Sequence, residues 1–463
     1  MMLRQYLWTL FFLIALLLTA CTHQTIETTS EVQTRDRPLT IWWNQGYFPQ
    51  ENQSIEKIVA DWHKKSRIPV KLELISEDDI DKLTIAALKA GNPPDLVFSL
   101  ETDSAHTERW AWEGKLVDVS DVLKPLRDIY SPTALKSVHM YNKKLKKFGD
   151  YAVPFKQNSV HLHYWRDLLT EAGFTEANIP QEWDAFWEFW KQAQDALEAQ
   201  GKKVYGLALP MGTEATNDTF YGFEQFLEAY DVKLMDEKGR LQLDNPGVRQ
   251  GLINTLDWVT RFYKDRYVPP DSVNWRSSDN NIAFLNKTAI LADNTTMSIP
   301  ASQKKDKDLY LNQMVTTEFP KKPNGEQMTY LVAIKQLLLF AESKHQQAAK
   351  DFLSYLVQPE ILKDYFKNAA GRWYPVMPIL WQDAFWSDSA DPHVFVAAKQ
   401  LRDNPTRPLN RVINPAYSEV HRENIWGQTM KRVVVNGLSP EAAADEAIEK
   451  IEKIFAQWGE MNQ

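Results

Sequence analysis

Residues 39–98 alternate between two kinds of hydrophobic pattern, and this alternation constrains the fold more than any other feature of the chain. Short β-type runs at residues 39–43, 70–74 and 95–98 are separated by two amphipathic stretches of helical period, the first with Ser54 as its expected N-cap. Strands that alternate with helices in this way pair in parallel and are joined by right-handed crossovers. We therefore predict an α/β fold that begins with a parallel sheet.

Polar and aromatic side chains follow two of these strands. They are Trp43, Asn44 and Gln45 at the first strand, and Glu101, Thr102 and Asp103 after the third. Ligands of such sheets bind outside the carboxyl ends of the strands. The six residues are therefore predicted to lie together at the mouth of a binding site, with a buried Trp43 that closes the sheet as the alternative.

The N-terminus has the pattern of an export signal. An apolar run at residues 6–18 follows Arg4, and it is shorter than the roughly 20 residues that span a membrane. The residues before Cys21, Leu-Thr-Ala, resemble the lipobox of bacterial lipoproteins, in which cleavage leaves a lipid-modified cysteine at the N-terminus. We expect residues 1–20 to be a signal peptide and residues 21–37 a lipidated, flexible tether. The alternative is an ordinary signal peptide in which Cys21 has no role.

The composition excludes several classes of function. The formal net charge is −8 and the sequence shows no face dense in Lys or Arg, which argues against binding of nucleic acid. Cys21 is the only cysteine, so no disulfide can form within the chain. The 17 Trp and 17 Tyr residues indicate either helix packing rich in aromatic side chains or stacking platforms for a ligand.

Motifs of the common enzyme classes are absent from the sequence, which has no Gly-x-Ser-x-Gly, His-Glu-x-x-His or phosphate-binding glycine loop. The acidic run at residues 77–79 fits a solvated first helical turn better than a glycosidase pair. His161 and His163 share one face of a strand, but the sequence indicates no third metal ligand beside them. We predict no cofactor, no bound metal and no catalytic residues.

Several stretches, in the order in which they occur, resemble one protein family. They are residues 94–98 (Pro-Asp-Leu-Val-Phe), 110–119, 151–155, 164–169, 179–186, 343–353 and 358–360. Together they resemble the extracellular solute-binding proteins, which are the sugar-binding lipoprotein or periplasmic components of ABC importers and include maltose-binding protein. Residues 164–169 depart from the family's Tyr-Asn-Lys-Asp-Leu-Leu at Trp165 and Arg166.

The resemblance implies a two-lobed periplasmic-binding-protein fold of type II, with two discontinuous α/β domains joined by hinge crossings. It implies one domain at residues 38–150 plus 288–368, and the other at residues 151–287 plus 369–463. Apolar residues at helical spacing over residues 183–190 support the helix-rich character expected of the second domain, and we assign this stripe to the core.

The resemblance also implies ligand contacts at the crossings between the domains. Asn158 lies just past the first crossing, and Asn294 follows a predicted strand after which Thr296 replaces the aromatic contact that the family often carries. The last crossing resembles residues 371–376, where hinge packing is the alternative role. The candidates there and in loops of the second domain are Arg372, Trp373, Tyr374, Trp275 and Tyr417.

The expected function is capture of a sugar, oligosaccharide or glycoside between two closing domains, followed by delivery to the permease subunits of an ABC importer. The protein is expected to be a monomer, held at the membrane by the lipid on Cys21. A lipid-anchored carbohydrate-active enzyme is one alternative. The same fold with a polyamine or another small solute as its ligand is a further one.

Overall fold

A computed structural model of the chain describes residues 37–458. The strands are β1 (Leu39–Asn44), β2 (Val70–Ile75), β3 (Leu96–Phe98), β4 (His139–Asn142), β5 (Lys147–Asp150), β6 (Val153–Asn158), β7 (His161–Trp165), β8 (Tyr205–Ala208), β9 (Ala289–Asn294), β10 (Met314–Thr317), β11 (Tyr330–Leu339) and β12 (Thr406–Pro408). The predicted signal peptide and the predicted lipidation site, Cys21, lie outside the described residues.

Helices cover much of the remaining chain. They are α1 (Pro49–Ser66), α2 (Glu77–Lys89), α3 (Thr102–Ala105), α4 (Thr107–Trp112), α5 (Ser120–Leu123), α6 (Pro132–Val138), α7 (Arg166–Glu171), α8 (Trp183–Ala199), α9 (Asn217–Ala229), α10 (Pro246–Lys264), α11 (Asp279–Leu285), α12 (Ser298–Ser302), α13 (Gln346–Leu356), α14 (Pro359–Asn368), α15 (Pro392–Asp403), α16 (Asn410–Ile413), α17 (Tyr417–Arg422), α18 (Ile425–Val434) and α19 (Pro440–Trp458). Within residues 37–458 there is no helix that combines the length and the apolar character of a membrane span.

The first sheet contains the strands predicted at the start of the chain. Its order is β12-β11-β3-β1-β2, and β6 also pairs with β11. β1 runs parallel to both neighbours, with Ile41 opposite Leu72 of β2 and Leu96 of β3. The parallel arrangement predicted from residues 39–98 is therefore confirmed.

The second sheet has the order β10-β7-β9-β8. In it β7 is antiparallel to β9 and β10, and β8 is parallel to β9. The predicted division at residue 288 does not follow these pairings. It assigned β9 and β10 to the first domain, whereas their backbone hydrogen bonds join them to β7, which lies in the range predicted for the second. The outer limits of the two domains stay a prediction.

Helix α1 begins at Pro49, so the expected N-cap at Ser54 is wrong. Proline suits the first helical turn because its missing N–H would be unpaired there and its fixed φ is already helical. The earlier start places Glu51 in the first turn, where its side chain is buried. This residue becomes part of the site described below.

The chain passes from the first sheet to the second between β6 and β7, which are separated only by Ser159 and Val160. A second segment, residues 371–376, runs beside this passage. The backbone N–H groups of Gln157 and Tyr374 donate to each other's carbonyl oxygens at 2.9 and 3.0 Å. The two crossing segments are thereby tied together next to the space between the sheets.

Candidate functional site

A partly open cavity lies between the segments that end the strands of the two sheets. Asn158 reaches it from the end of β6, Asn294 from the end of β9 and Arg372 from the crossing segment. Its aromatic and charged lining comprises Tyr47, Tyr221, Trp373, Glu77, Asp218, Lys335 and Arg372, and the remainder is Leu100, Asn158, Asn217, Ser277, Ser278, Asn281, Asn294, Thr295, Thr296 and Ser298. Most of this lining can form hydrogen bonds.

Two deeply buried atoms of the lining have no hydrogen-bond partner among the described residues. Asn158 is 1% exposed, and its Nδ2 donates to the carbonyl of Thr295 at 2.6 Å, while its Oδ1 accepts nothing. Arg372 is 5% exposed, and its Nε is likewise unpaired. A buried polar atom without a partner costs about 1–3 kcal/mol. The cavity therefore presents one open acceptor and one open donor to any molecule that enters.

A network of amide and hydroxyl groups forms another part of the cavity wall. Asn294 Nδ2 donates to Asn281 Oδ1 at 2.5 Å and to Ser298 Oγ at 3.0 Å, and Asn281 Nδ2 also donates to Ser298 Oγ. All three side chains are buried. Mutual hydrogen bonds of this kind hold polar groups in place before a ligand arrives, which lowers the cost of ordering them on binding.

The last crossing is held to α1 by a buried charge. Glu51 accepts from Arg372 Nη1 at 2.7 Å and from Trp373 Nε1 at 2.9 Å. The ammonium of Lys156 lies 4.0 Å from the centroid of the Trp373 ring and donates to the hydroxyl of Tyr365. Trp373 is thus fixed by its neighbours, and only 1% of it is exposed.

Two carboxylates of the lining have raised pKa values. Burial raises the pKa of Glu77 to about 7, and the neighbouring Glu101 adds to the rise while Arg372 and Lys335 oppose it. Burial also raises the pKa of Asp218, although it accepts a hydrogen bond from Thr295 Oγ1. Asp78 and Asp79 are exposed, as expected for a solvated helical turn, but Glu77 is half-buried and faces the cavity.

A smaller inner recess adjoins the cavity and shares Leu100, Arg372 and Trp373 with it. The predicted residues Trp43, Asn44 and Gln45 line this recess. Trp43 is also packed against Phe98 with ring centroids 4.5 Å apart, so it closes the sheet and borders the recess at once.

A further groove, the outer groove, adjoins the cavity and shares Glu77 and Ser277 with it. Glu101 lines this groove rather than the cavity. Thr102 and Asp103 belong to the short helix α3, and their side chains lie outside those that the structure describes.

Three predicted contact residues are not brought to these spaces. Trp275 is buried in the loop before α11. Tyr374 is fully buried, with its ring 6.0 Å from that of Trp381. Tyr417 is buried at the start of α17, where its hydroxyl accepts from Trp426 Nε1 at 3.1 Å. All three side chains are therefore buried inside the protein rather than at the cavity, the recess or the groove.

The two strand histidines also face other side chains. His161 Nδ1 contacts Gln400 Oε1 at 3.1 Å, and His163 Nδ1 contacts Thr316 Oγ1 at 2.9 Å. Within residues 37–458, no group of three or more His, Cys, Asp or Glu side chains is arranged to hold a metal ion.

Several cavity residues were missed from sequence, and two of them left a signal. Glu77 follows β2 directly, as Glu101 follows β3, so the rule about strand ends applied to it equally. Lys335 stands with Gln336 inside the otherwise apolar strand β11, where a buried charge requires a partner. Its Nζ donates to the carbonyl of Leu100 at the cavity wall, 2.7 Å away. Asp218 and Glu51 carried no comparable signal.

Two sheets with a polar cavity between them define a two-lobed ligand-binding protein. The family model described as bacterial extracellular solute-binding protein matches residues 57–396, and the chain belongs to this family. The family resemblance seen in the sequence and the predicted fold class are thereby confirmed.

Individual relatives agree with this assignment. The multiple sugar-binding protein of Streptococcus mutans is 22% identical, over 81% of this chain and 80% of its own length. The galactooligosaccharide-binding protein of Bacillus subtilis is 22% identical, over 89% of this chain and 88% of its own length. The crystal structure of an ABC transporter solute-binding protein from Thermotoga lettingae, bound to alpha-D-tagatose, has a TM-score of 0.73 at 20% identity and covers 90% of this chain and 99% of that chain. These relatives are binding proteins rather than enzymes.

Proposed function

We propose that this protein binds a sugar or short oligosaccharide in the cavity between the two sheets and delivers it to the permease subunits of an ABC importer. The names of the relatives support a sugar as the class of ligand. The observation that carries the proposal is the pair of unpaired buried atoms, Asn158 Oδ1 and Arg372 Nε. A hydroxyl group both donates and accepts, so one class of ligand group satisfies both atoms.

The rest of the lining suits a sugar ring. Tyr47, Tyr221 and Trp373 offer aromatic surface for the apolar faces of the ring, and the amide network around Asn294 offers fixed partners for hydroxyls at its edge. Binding sites that combine apolar walls with a few placed polar groups are typical for small ligands. Trp373 contributes the edge that lines the cavity, because its ring is otherwise packed against Lys156 and Arg372.

Capture proceeds by domain closure in this proposal. The ligand contacts both lobes only when they are closed, so its binding shifts the population from open to closed forms. The tied crossing segments at Gln157 and Tyr374 are the proposed hinge. The closed monomer is the form that the permease recognises, and the ligand leaves chemically unchanged.

The protein is proposed to work outside the cytoplasm on a lipid anchor at Cys21. The lipobox pattern of residues 18–21 supports the anchor, and membership of an extracellular family supports the location. Cys21→Ser should abolish partition of the protein into detergent. Membrane attachment of that variant would contradict the anchor and leave the binding proposal untouched.

The binding proposal is tested by a thermal-shift screen of sugars followed by titration calorimetry. A ligand at a hundredfold its Kd stabilises the native state by about 2.7 kcal/mol. Asn158→Ala should weaken binding of the selected sugar at least tenfold, because Nδ2 and the open Oδ1 are both lost. Asn436→Ala is the matched control, since Asn436 is exposed in the turn after α18.

Two results would contradict the proposal. Conversion of the sugar during long incubation would identify a carbohydrate-active enzyme instead. Stabilisation by polyamines and by no sugar would keep the fold but replace the ligand.

A further inference from the structure

The outer groove carries a marked excess of negative charge. Five acidic side chains line it, Glu77, Asp78, Asp81, Glu101 and Glu214, against only Lys82 and Arg276. Both of these basic residues are exposed to solvent, where their charges are screened. An acidic groove alone does not make a binding site. The outer groove is therefore interpreted together with the cavity that it adjoins.

The outer groove is continuous with the proposed sugar cavity. Glu77 and Ser277 line both spaces, and Glu77 is half-buried at the junction. Asp218 lines the same cavity, and Thr295 connects it to Asn158. The Thr295 hydroxyl donates to Asp218, and the Thr295 carbonyl accepts from Asn158 Nδ2. Glu77, Asp218 and the open Oδ1 of Asn158 therefore belong to one part of the cleft.

The positive charges of the cavity are already engaged elsewhere. Arg372 is paired with Glu51, and Lys335 donates to the carbonyl of Leu100. The pKa of Glu77 is about 7 although both cations act to lower it, so burial and the neighbouring carboxylates outweigh them. Arg372 and Lys335 therefore offset only part of the cost of burying these carboxylates, and a cation brought by the ligand would reduce the remainder.

The balance of hydrogen-bond donors and acceptors in the cleft also favours a ligand that carries a cationic group. Asn158 Oδ1 and Asn44 Oδ1, in the cavity and the inner recess, are buried acceptors without a partner among the described residues. The carboxylates of Glu77 and Asp218 add further acceptors, whereas Arg372 Nε is the matching open donor. An ammonium group has three donors and no acceptor, while a hydroxyl has one donor.

We propose that the ligand is an amino sugar, whose protonated amino group lies between Glu77 and Asp218 at the junction of the cavity and the outer groove. This inference rests on the proposed function and specifies its class of ligand. The sugar ring occupies the cavity beside Asn158 and Arg372, and the ammonium group supplies the positive charge that the acidic junction lacks.

The test compares sugars that differ in one substituent. Titration calorimetry at neutral pH measures glucose, glucosamine and N-acetylglucosamine, the corresponding galactose series, and the β-1,4-linked disaccharides of the glucose series. In at least one series the amino sugar should bind about tenfold or more tightly than both its hydroxyl and its N-acetyl counterparts, a difference of about 1.4 kcal/mol. Raising the salt concentration should reduce this preference.

Variants of the two carboxylates test whether they cause the preference for the amino sugar. Glu77→Gln and Asp218→Asn should each reduce the preference for the amino sugar severalfold, with a smaller change in the Kd of the neutral sugar. Glu56→Gln removes the same charge from an exposed position on α1 and should leave the preference intact. Melting curves identify any variant that fails to fold, and Glu77→Gln, at the half-buried first position of α2, then decides the test alone.

The outcomes separate this inference from the proposed function. If a neutral or N-acetylated sugar binds as tightly as its amino counterpart in every series, the amino-sugar inference is overturned and sugar binding stands. If the preference survives in both variants, the placement at Glu77 and Asp218 is wrong. If no sugar binds while spermidine does, the proposed function itself fails.

Discussion

Tryptophan side chains are held by different kinds of contact in two regions of this molecule. In the helical layer of α8, Trp183, Trp187 and Trp190 are buried among other aromatic rings, with Trp187 perpendicular to Trp258 at a centroid distance of 5.3 Å. In the crossing segment, Trp373 is equally buried but lies among charges, with Glu51 on its indole nitrogen and Lys156 over its ring. The first region is held by apolar packing and the second by ionic and polar contacts.

The difference shows why the aromatic excess of the sequence could not be assigned to one role. Edge-to-face pairs of rings add about 0.5–1.5 kcal/mol to the gain from burial, and they need no specific partner beyond another ring. A tryptophan held by a buried carboxylate depends on that one group, and on the guanidinium that balances its charge. Removal of single groups should therefore affect the two regions differently.

The largest expected effect is in the helical layer. Trp187→Ala should lower the free energy of unfolding by about 4 kcal/mol, because a buried indole is replaced by a cavity. The Kd for the ligand should stay unchanged, since no residue of α8 lines the binding cavity. Chemical denaturation and titration calorimetry on the same preparation check both statements. A raised Kd with an unchanged free energy of unfolding would show that Trp187 supports ligand binding rather than packing.

Removal of Glu51 should be slightly less destabilising but should also impair binding. Glu51→Ala leaves the buried guanidinium of Arg372 without its carboxylate, at a cost of about 3 kcal/mol, and frees the crossing segment that lines the cavity. Ligand affinity should fall at least tenfold in the same measurements.

Two milder variants separate the loss of the negative charge of Glu51 from the loss of its hydrogen bond with Trp373. Glu51→Gln keeps an acceptor for Trp373 and removes only the charge. Trp373→Phe keeps the ring and removes the bond from Nε1, which should cost about 1–2 kcal/mol. Normal stability and affinity in Glu51→Ala would show that the buried ion pair does not hold the site.

The smallest expected effect is a dependence of the free energy of unfolding on pH, caused by the carboxyl group of Glu77 in the cavity. The pKa of Glu77 is raised from its ordinary 4.5 to about 7, so its contribution to stability is complete below about pH 4.5 and is lost as the pH rises through 7. One pKa unit corresponds to about 1.4 kcal/mol, and solvent at this half-buried carboxyl reduces the total to the order of 1 kcal/mol.

The difference between wild type and Glu77→Gln isolates this contribution. Denaturation of the ligand-free protein between pH 4.5 and 8 should show the wild type losing stability relative to the variant. Parallel curves across the whole range would mean that Glu77 is solvated in the native protein.

Local structure was predictable wherever one face of an element is buried. The stripe at residues 183–190 was assigned to the core, and Trp183, Phe186, Trp187 and Trp190 at its helical spacing are all buried in α8. The parallel pairing of β1 with β2 and β3 followed from their spacing. The predicted division at residue 288 does not follow the strand pairing, because β9 pairs with β7, more than 120 residues away, and no local pattern records that partner.

The site was only partly predictable. Trp43, Asn44, Gln45, Asn158, Asn294, Arg372 and Trp373 were proposed from strand ends and from the family resemblance, and all of them line the cavity or its inner recess. Tyr374 and Tyr417 were proposed as well, but both are buried in the core. Whether any of these residues contacts a ligand stays a prediction.

The sequence by itself determined the α/β alternation and the helix-rich layer, because burial of one face leaves a periodic record along the chain. The family was indicated by the resemblance of several motifs in their order along the chain. Only the tertiary structure decided which polar groups meet. Glu51 and Arg372 are 321 positions apart, yet they form the buried pair that fixes the cavity wall. Such a contact depends on how distant segments pack, and nothing in the sequence around Arg372 indicates that Glu51 is its partner.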